Sequence, residues 1–146
     1  MPLSPVEIEE RAKRALDVPL LRFLDASLTL NSDRTFSIDL PVSERSHNAA
    51  GALHGGAIAT VLDVAAYLAV LPHLEPDEEA VTHAFAASYM AASSAPGHLQ
   101  ASAHLLRRTR RVAFVLAELS SEGDLIASAT VTKSLRQARA DSLVTG

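Results

Sequence analysis

The sequence predicts an α+β domain in which one antiparallel sheet wraps one central helix. Three observations carry this expectation. A long segment, residues 55–71, has helical character and is apolar almost all round, as a helix enclosed within a domain must be. Four stretches of period-two alternation follow it at 80–90, 98–107, 111–121 and 125–135, separated by short turns. A hairpin pattern precedes it. A buried helix needs a cover, and a curved antiparallel sheet can provide one.

Each element has its own local reason. Ser4-Pro5-Val6-Glu7 is a helix start: Ser4 can cap, Pro5 suits the first turn, and Glu7 can reach back to the cap. A short helix over about 5–15 is expected. In 26–40, Leu28 and Leu30 alternate with Ser27 and Thr29, and Phe36, Ile38 and Leu40 alternate with Ser37 and Asp39. Asn31-Ser32-Asp33 between them favours a turn. Pro41 to Gly51 reads as a polar loop, and Pro72 ends the central helix. The turns of the later strands fall at Ala95-Pro96-Gly97, Arg108-Thr109-Arg110 and Glu122-Gly123-Asp124. These strands are expected to pair in sequence order as a meander of about four. In the last, Leu125, Ala127, Ala129 and Val131 share one face and Ser128, Thr130 and Thr132 the other. Residues 136–146 are expected to fray. The reading is one domain over 1–146, because 146 residues suit a single core and neither a repeat nor a linker is evident.

Composition narrows the function. With 48% hydrophobic and 21% charged residues the balance is that of a globular domain. There is no cysteine, hence no thiolate nucleophile and no cysteine zinc site. The six histidines show no metal-ligand spacing, so no metal is expected. A net charge of -4 argues against nucleic-acid and anionic-membrane partners. The start, Met-Pro-Leu-Ser-Pro-Val-Glu-Ile-Glu-Glu, has no signal-peptide character, and 57–71 is interrupted by Thr60, Asp63 and Tyr67. That stretch is expected to be too short and polar to span a bilayer, and the protein is expected in the cytoplasm. There is neither a Gly-x-Ser-x-Gly elbow nor a phosphate loop.

The central helix carries the chemistry. Asp63 is a carboxylate in an apolar helix, which is costly unless paired, solvated or used. Thr60, Asp63 and Tyr67 share a face at i, i+3 and i+7; a polar stripe of this kind also suits water or a packed neighbour. His54-Gly55-Gly56 opens the same helix. Its first turn offers free N–H groups and partial positive charge, a suitable place for a carbonyl oxygen that gains charge. Two glycines let a ligand approach the backbone closely. Gly55 and Asp63 are about 12 Å apart along one helix, too far to grip one carbonyl, but antiparallel helices of two subunits would bring them together. Asn48 has an amide that can donate to a carbonyl or hold a water, or simply fix its loop. The basic run Arg107-Arg108-Thr109-Arg110-Arg111 can hold phosphates or be a solvated turn.

These residues bring a family into view. Asn48-Ala49-Ala50-Gly51-Ala52-Leu53-His54-Gly55-Gly56, followed by Asp63, resembles the hotdog-fold thioesterases of the phenylacetic-acid-degradation type, the group that includes human thioesterase superfamily member 2. The likeness continues in Ala80-Val81-Thr82, Ser88-Tyr89-Met90, Pro96-Gly97 and Gly123-Asp124-Leu125-Ile126-Ala127, covering roughly 20–135. It implies hydrolysis of an acyl-CoA or aryl-acyl-CoA thioester, with coenzyme A as part of the substrate and no further cofactor. It implies Asp63 as base or nucleophile, the Gly55 N–H as the carbonyl-polarising donor, and Asn48 orienting water or carbonyl. Thr82 would help place the water, and His54 would shape the loop. Gly56, Tyr67 and Arg110 are candidate substrate contacts, Arg110 for the coenzyme A phosphates. The resemblance also implies a homodimer, or a homotetramer built as a dimer of dimers, with Asp63 from one subunit facing Asn48 and Gly55 from the other. One departure is Thr109-Arg110, where relatives often have Gly before Lys or Arg. The same fold also serves hydratases and dehydratases, and non-catalytic acyl-CoA-binding proteins. His54 ahead of Asp63 on a glycine-rich helix start fits the hydratase motif poorly, and a sensor normally needs an output domain.

Overall fold

The computed structural model describes residues 1–94 and 97–139. The capping box at Ser4 forms: Ser4 Oγ accepts from the Glu7 N–H at 3.3 Å, and Glu7 accepts from the Ser4 N–H at 2.8 Å. Helix α1 (Pro5–Leu16) follows. A five-residue helix α2 (Pro19–Phe23), absent from the sequence expectation, starts at Pro19, whose fixed φ suits a first helical position. The hairpin is β1 (Ser27–Leu30) and β2 (Phe36–Val42). Strand β2 runs two residues past the expected end, through Pro41. The Pro41 carbonyl accepts from Ser46 Oγ at 3.0 Å, so its N–H-less side lies where β1 no longer pairs.

Helix α3 (Gly55–Val70) ends in a single 3-10 turn, Leu71–His73. The remaining strands are β3 (Glu78–Tyr89), β4 (Gly97–Arg108), β5 (Val112–Ser121) and β6 (Asp124–Gln137). Arg136 and Gln137, expected to fray, therefore belong to β6. Residues 140–146 of that tail lie outside the described residues, as do Ala95 and Pro96 of the expected turn.

All strand pairs are antiparallel, in the order β1-β2-β4-β5-β6-β3. Here the expected meander is corrected. Of the four strands after α3, β4, β5 and β6 pair in sequence order, while β3 leaves its sequence neighbour β4 and pairs with β6 at the far edge. Its connection to β4 is longer than the hairpin turns and lets the chain cross the sheet. Strands β3, β5 and β6 therefore share one end of the sheet.

Helix α3 packs across the concave face. Val61, Leu62, Ala66 and Val70 are wholly buried against Ile38, Leu40, Ala101, Ala113 and Val115, which are also sealed from solvent. Counting its terminal turn, Gly55–His73 has 19 residues and a mean hydropathy of 1.6, enough by length and composition to cross a membrane. This corrects the reading of the shorter apolar stretch. The apolarity is explained by the sheet that encloses the helix.

Strand β3 carries a β-bulge. Thr82 pairs with Lys133 and Ala84 with Thr132, leaving His83 unopposed. Below the bulge Thr82 faces the helix; above it Phe85, opposite buried Val131, does so. Residues three apart would otherwise face opposite ways.

Candidate active site

The carboxylate of Asp63 stands on the α3 face that looks towards β3 and β6. Its Oδ1 accepts from Thr82 Oγ1 at 2.6 Å and from Lys133 Nζ at 3.0 Å. Lys133 Nζ also donates to Thr82 Oγ1 at 2.7 Å and to the Asp63 carbonyl at 3.2 Å. The side chain of Asp63 is 39% exposed and that of Lys133 only 4%. Burial pushes the Lys133 ammonium below its ordinary pKa, and the charge and hydrogen bond of Asp63 pull it back up. Among the described residues no donor reaches Asp63 Oδ2.

Lys133 is the residue that sequence reasoning missed. The signal was present: Ala127, Ala129, Val131, Lys133 and Leu135 are one period-two series, and all are buried. A lysine in phase with a core face needs a partner, and Asp63 is that partner.

A second group forms at the start of α3. His54 is the N-cap, and its Nδ1 accepts from the Gly56 N–H at 2.8 Å. That bond places the ring proton on Nε2. It also consumes the Gly56 donor, and a Cβ on Gly56 would come within 3.0 Å of His54 Nδ1. Gly55, the first helical residue, has no intrahelical acceptor for its N–H and finds none elsewhere among the described residues. Tyr89, at the end of β3, covers this turn, its hydroxyl donating to the Gly55 carbonyl at 3.3 Å.

Asn48 stands in the preceding loop. Its Oδ1 accepts from the Ala50 N–H at 2.9 Å and the Ala52 N–H at 3.1 Å, while Gly51 at φ +79° turns the chain. The side-chain oxygen is thus committed to the loop, and only the amide N–H donors remain for a ligand.

The structure therefore brings Asp63 and Thr82 together, and Asn48, His54, Gly55 and Gly56 together, as two groups at different stations of one helix. Thr60 donates to the Gly56 carbonyl at 2.8 Å, so that member of the polar stripe is spent within the helix. Tyr67 lies further along, under the influence of Arg11 and Arg14 of α1 and Glu79 of β3; burial raises its phenol pKa. Arg110 is exposed in the β4–β5 turn. Thr109 makes that turn without glycine, its hydroxyl accepting from the N–H groups of Arg111 at 3.4 Å and Val112 at 3.1 Å. Arg108 is held by Glu78. A cleft of about 220 Å³ opens beside the start of α3, lined by Leu20 and Phe23 of α2 together with His54, Gly56, Ala57 and Thr60.

Comparison with known proteins agrees with this architecture. A zebrafish thioesterase superfamily member 2 structure superposes with a TM-score of 0.74 at 24% identity, covering 90% of this chain and 98% of that one. A phenylacetic acid degradation-related protein from Ralstonia eutropha gives 0.74 at 25% identity, over 87% and 98% of the two chains. A Bacillus halodurans protein solved with CoA gives 0.78 at 20% identity, over 92% and 94%. The fold is thus the hotdog fold. No curated protein matches the sequence. The family model of the acyl-CoA thioesterase N-terminal domain matches residues 43–134, a span from the Asn48 loop to beyond Lys133. With well over half its length so matched, the chain belongs to the acyl-CoA thioesterase family and is an acyl-CoA thioesterase.

Proposed function

We propose that this thioesterase hydrolyses an acyl- or aryl-acyl-CoA with Asp63 as base or nucleophile and the Gly55 N–H as donor to the thioester carbonyl. The observation that carries the reading is Asp63 itself. On a helix with half its residues buried, it is a part-exposed carboxylate that keeps one oxygen without a donor among the described residues. As base, Asp63 Oδ2 takes a proton from water while the water oxygen bonds to the thioester carbon. As nucleophile, Oδ2 bonds to that carbon and water later cleaves the anhydride. In both, the carbonyl oxygen gains charge that the Gly55 N–H stabilises, the C–S bond breaks with its electron pair on sulfur, and the coenzyme A thiol takes up a proton. A thioester is already activated, so these two groups suffice.

The roughly 12 Å between Gly55 and Asp63 on one helix calls for a second subunit. Strand β3 supports this reading. It is a 12-residue edge strand bonded, among the described residues, to β6 alone, and a long free edge invites pairing with another copy. Exposed Leu106 and Phe114 on β4 and β5 offer a further surface for a dimer of dimers. Asn48 would use its amide donors, and Thr82 its hydroxyl, to place water and carbonyl. The cleft lined by Phe23 and Gly56 would take the acyl group; it is of the order of the roughly 150 Å³ cavity that holds benzene. Arg110 would meet coenzyme A phosphates, with Tyr67 deeper along the helix.

Thiol release from a panel of acyl- and aryl-CoA thioesters is expected for at least one class. Failure with every thioester by a folded protein would overturn the reading. Sedimentation is expected to give two or four times the chain mass, and a monomer would remove the shared site.

A further inference from the structure

We propose that Lys133 is the positioning residue of the reactive carboxylate. It holds Asp63 as an anion by one oxygen, steers the Thr82 proton to that same oxygen, and leaves Oδ2 as the reacting atom. The inference rests on the assignment of Asp63 as the reacting group.

The argument is one of donors and acceptors. An ammonium only donates, so at 2.7 Å from Lys133 Nζ the Thr82 oxygen is an acceptor. A hydroxyl has a single proton, and at 2.6 Å from Asp63 Oδ1 that proton is committed to the carboxylate. Lys133 adds its own bond to Oδ1 at 3.0 Å. Two donors thus converge on one oxygen of Asp63, and the Lys133 bond to the Asp63 carbonyl at 3.2 Å ties the same ammonium to the helix backbone. Thr82 keeps only acceptor capacity for a water, so it can receive a water proton but not give one while the network stands.

Lys133 does this from a sealed position. At 4% side-chain exposure its ammonium is turned away from solvent, and the carboxylate it pairs with is that of Asp63. From α3 the titratable group facing it is Asp63; from β3 its neighbour is Thr82; from β5 its cross-strand partner is Ala113. Two titratable groups of β3 have partners on β6. Glu79 bonds Arg136, and His83, unopposed at the bulge, bonds Ser134. Loss of the ammonium removes one of the two donors that fix Oδ1, so the carboxylate can turn and Oδ2 is no longer held as the presented oxygen.

The test is kcat and KM for Lys133→Met and Lys133→Gln beside wild type and Asp63→Asn. KM should change little in both lysine variants, and kcat should fall by roughly ten- to a hundredfold, the cost of a misplaced reacting group. Wild-type kcat in an active, folded variant overturns the inference. Should neither variant fold, 15N-lysine NMR of the wild type decides. One ammonium is expected to be protected from solvent exchange and to shift in Asp63→Asn; no such resonance overturns the inference. Full activity of Asp63→Asn would instead overturn the assignment of Asp63, so the two failures are separable.

Discussion

Asp63→Asn is expected to abolish thioester hydrolysis while leaving the fold intact. Asn keeps the shape of the side chain and can still accept from Thr82 and Lys133 through its oxygen, so the network at Oδ1 survives in outline. What disappears is the basic second oxygen, replaced by an NH2 that can neither take a proton nor attack carbon. A positioned base contributes typically 10²–10⁴-fold, and a loss of that size in kcat is expected. The change also leaves Lys133 buried opposite a neutral group, so some thermal destabilisation should accompany it. Thiol release, read with circular dichroism, separates the two effects. Release at the wild-type rate by the folded variant would move the chemistry elsewhere.

Gly55→Pro is expected to lower kcat by roughly 10²–10³-fold, the usual cost of losing one oxyanion donor. Substitution seldom removes a backbone N–H cleanly, but this position permits it. Gly55 is the first residue of α3, where proline is favoured because no intrahelical bond is lost. His54 already has φ -67° and ψ 133°, the extended conformation that a residue before proline requires. A Cβ at Gly55 meets the Tyr89 ring at 3.7 Å, an ordinary contact. The variant should melt at or slightly above the wild-type temperature. Wild-type kcat would exclude the Gly55 N–H as the donor.

The two variants together test the shared site. A mixed dimer of one Asp63→Asn and one Gly55→Pro subunit keeps an intact Asp63 facing an intact Gly55 at one of its two sites. Random mixing should restore about a quarter of wild-type activity from two nearly inactive proteins, by the statistics of a two-fold dimer. A site contained in one chain would give no recovery.

Much of this was legible in the sequence, for identifiable reasons. The central helix was visible because enclosure makes a helix apolar on every side. The strands were visible because β4, β5 and β6 bury one face and expose the other. Asp63 stood out because a carboxylate in that helix needs a cause. Other features were hidden in the pairing rather than the pattern. The alternation in 80–90 says nothing of which neighbour β3 chooses, so its place beside β6 could not be read. Helix α2 is too short for periodicity to register. Lys133 was in phase with the core face, but its role depends on β3 and β6 being adjacent. Asn48 could be read either as a donor to a ligand or as a residue fixing its loop, and its side-chain oxygen does fix the loop through the amides of Ala50 and Ala52.

The extra residue in β3 has a consequence for anyone comparing this protein with others. Counting back from Phe85 by twos reaches His83, yet the side chain beside the carboxylate is Thr82. A relative lacking the insertion would present its equivalent hydroxyl one position later in the strand. An alignment that sets its gap elsewhere would match Thr82 to an outward-facing residue and assign the bond to Asp63 to the wrong amino acid. In this strand, equivalence has to be assigned by pairing to Lys133 rather than by counting along the chain.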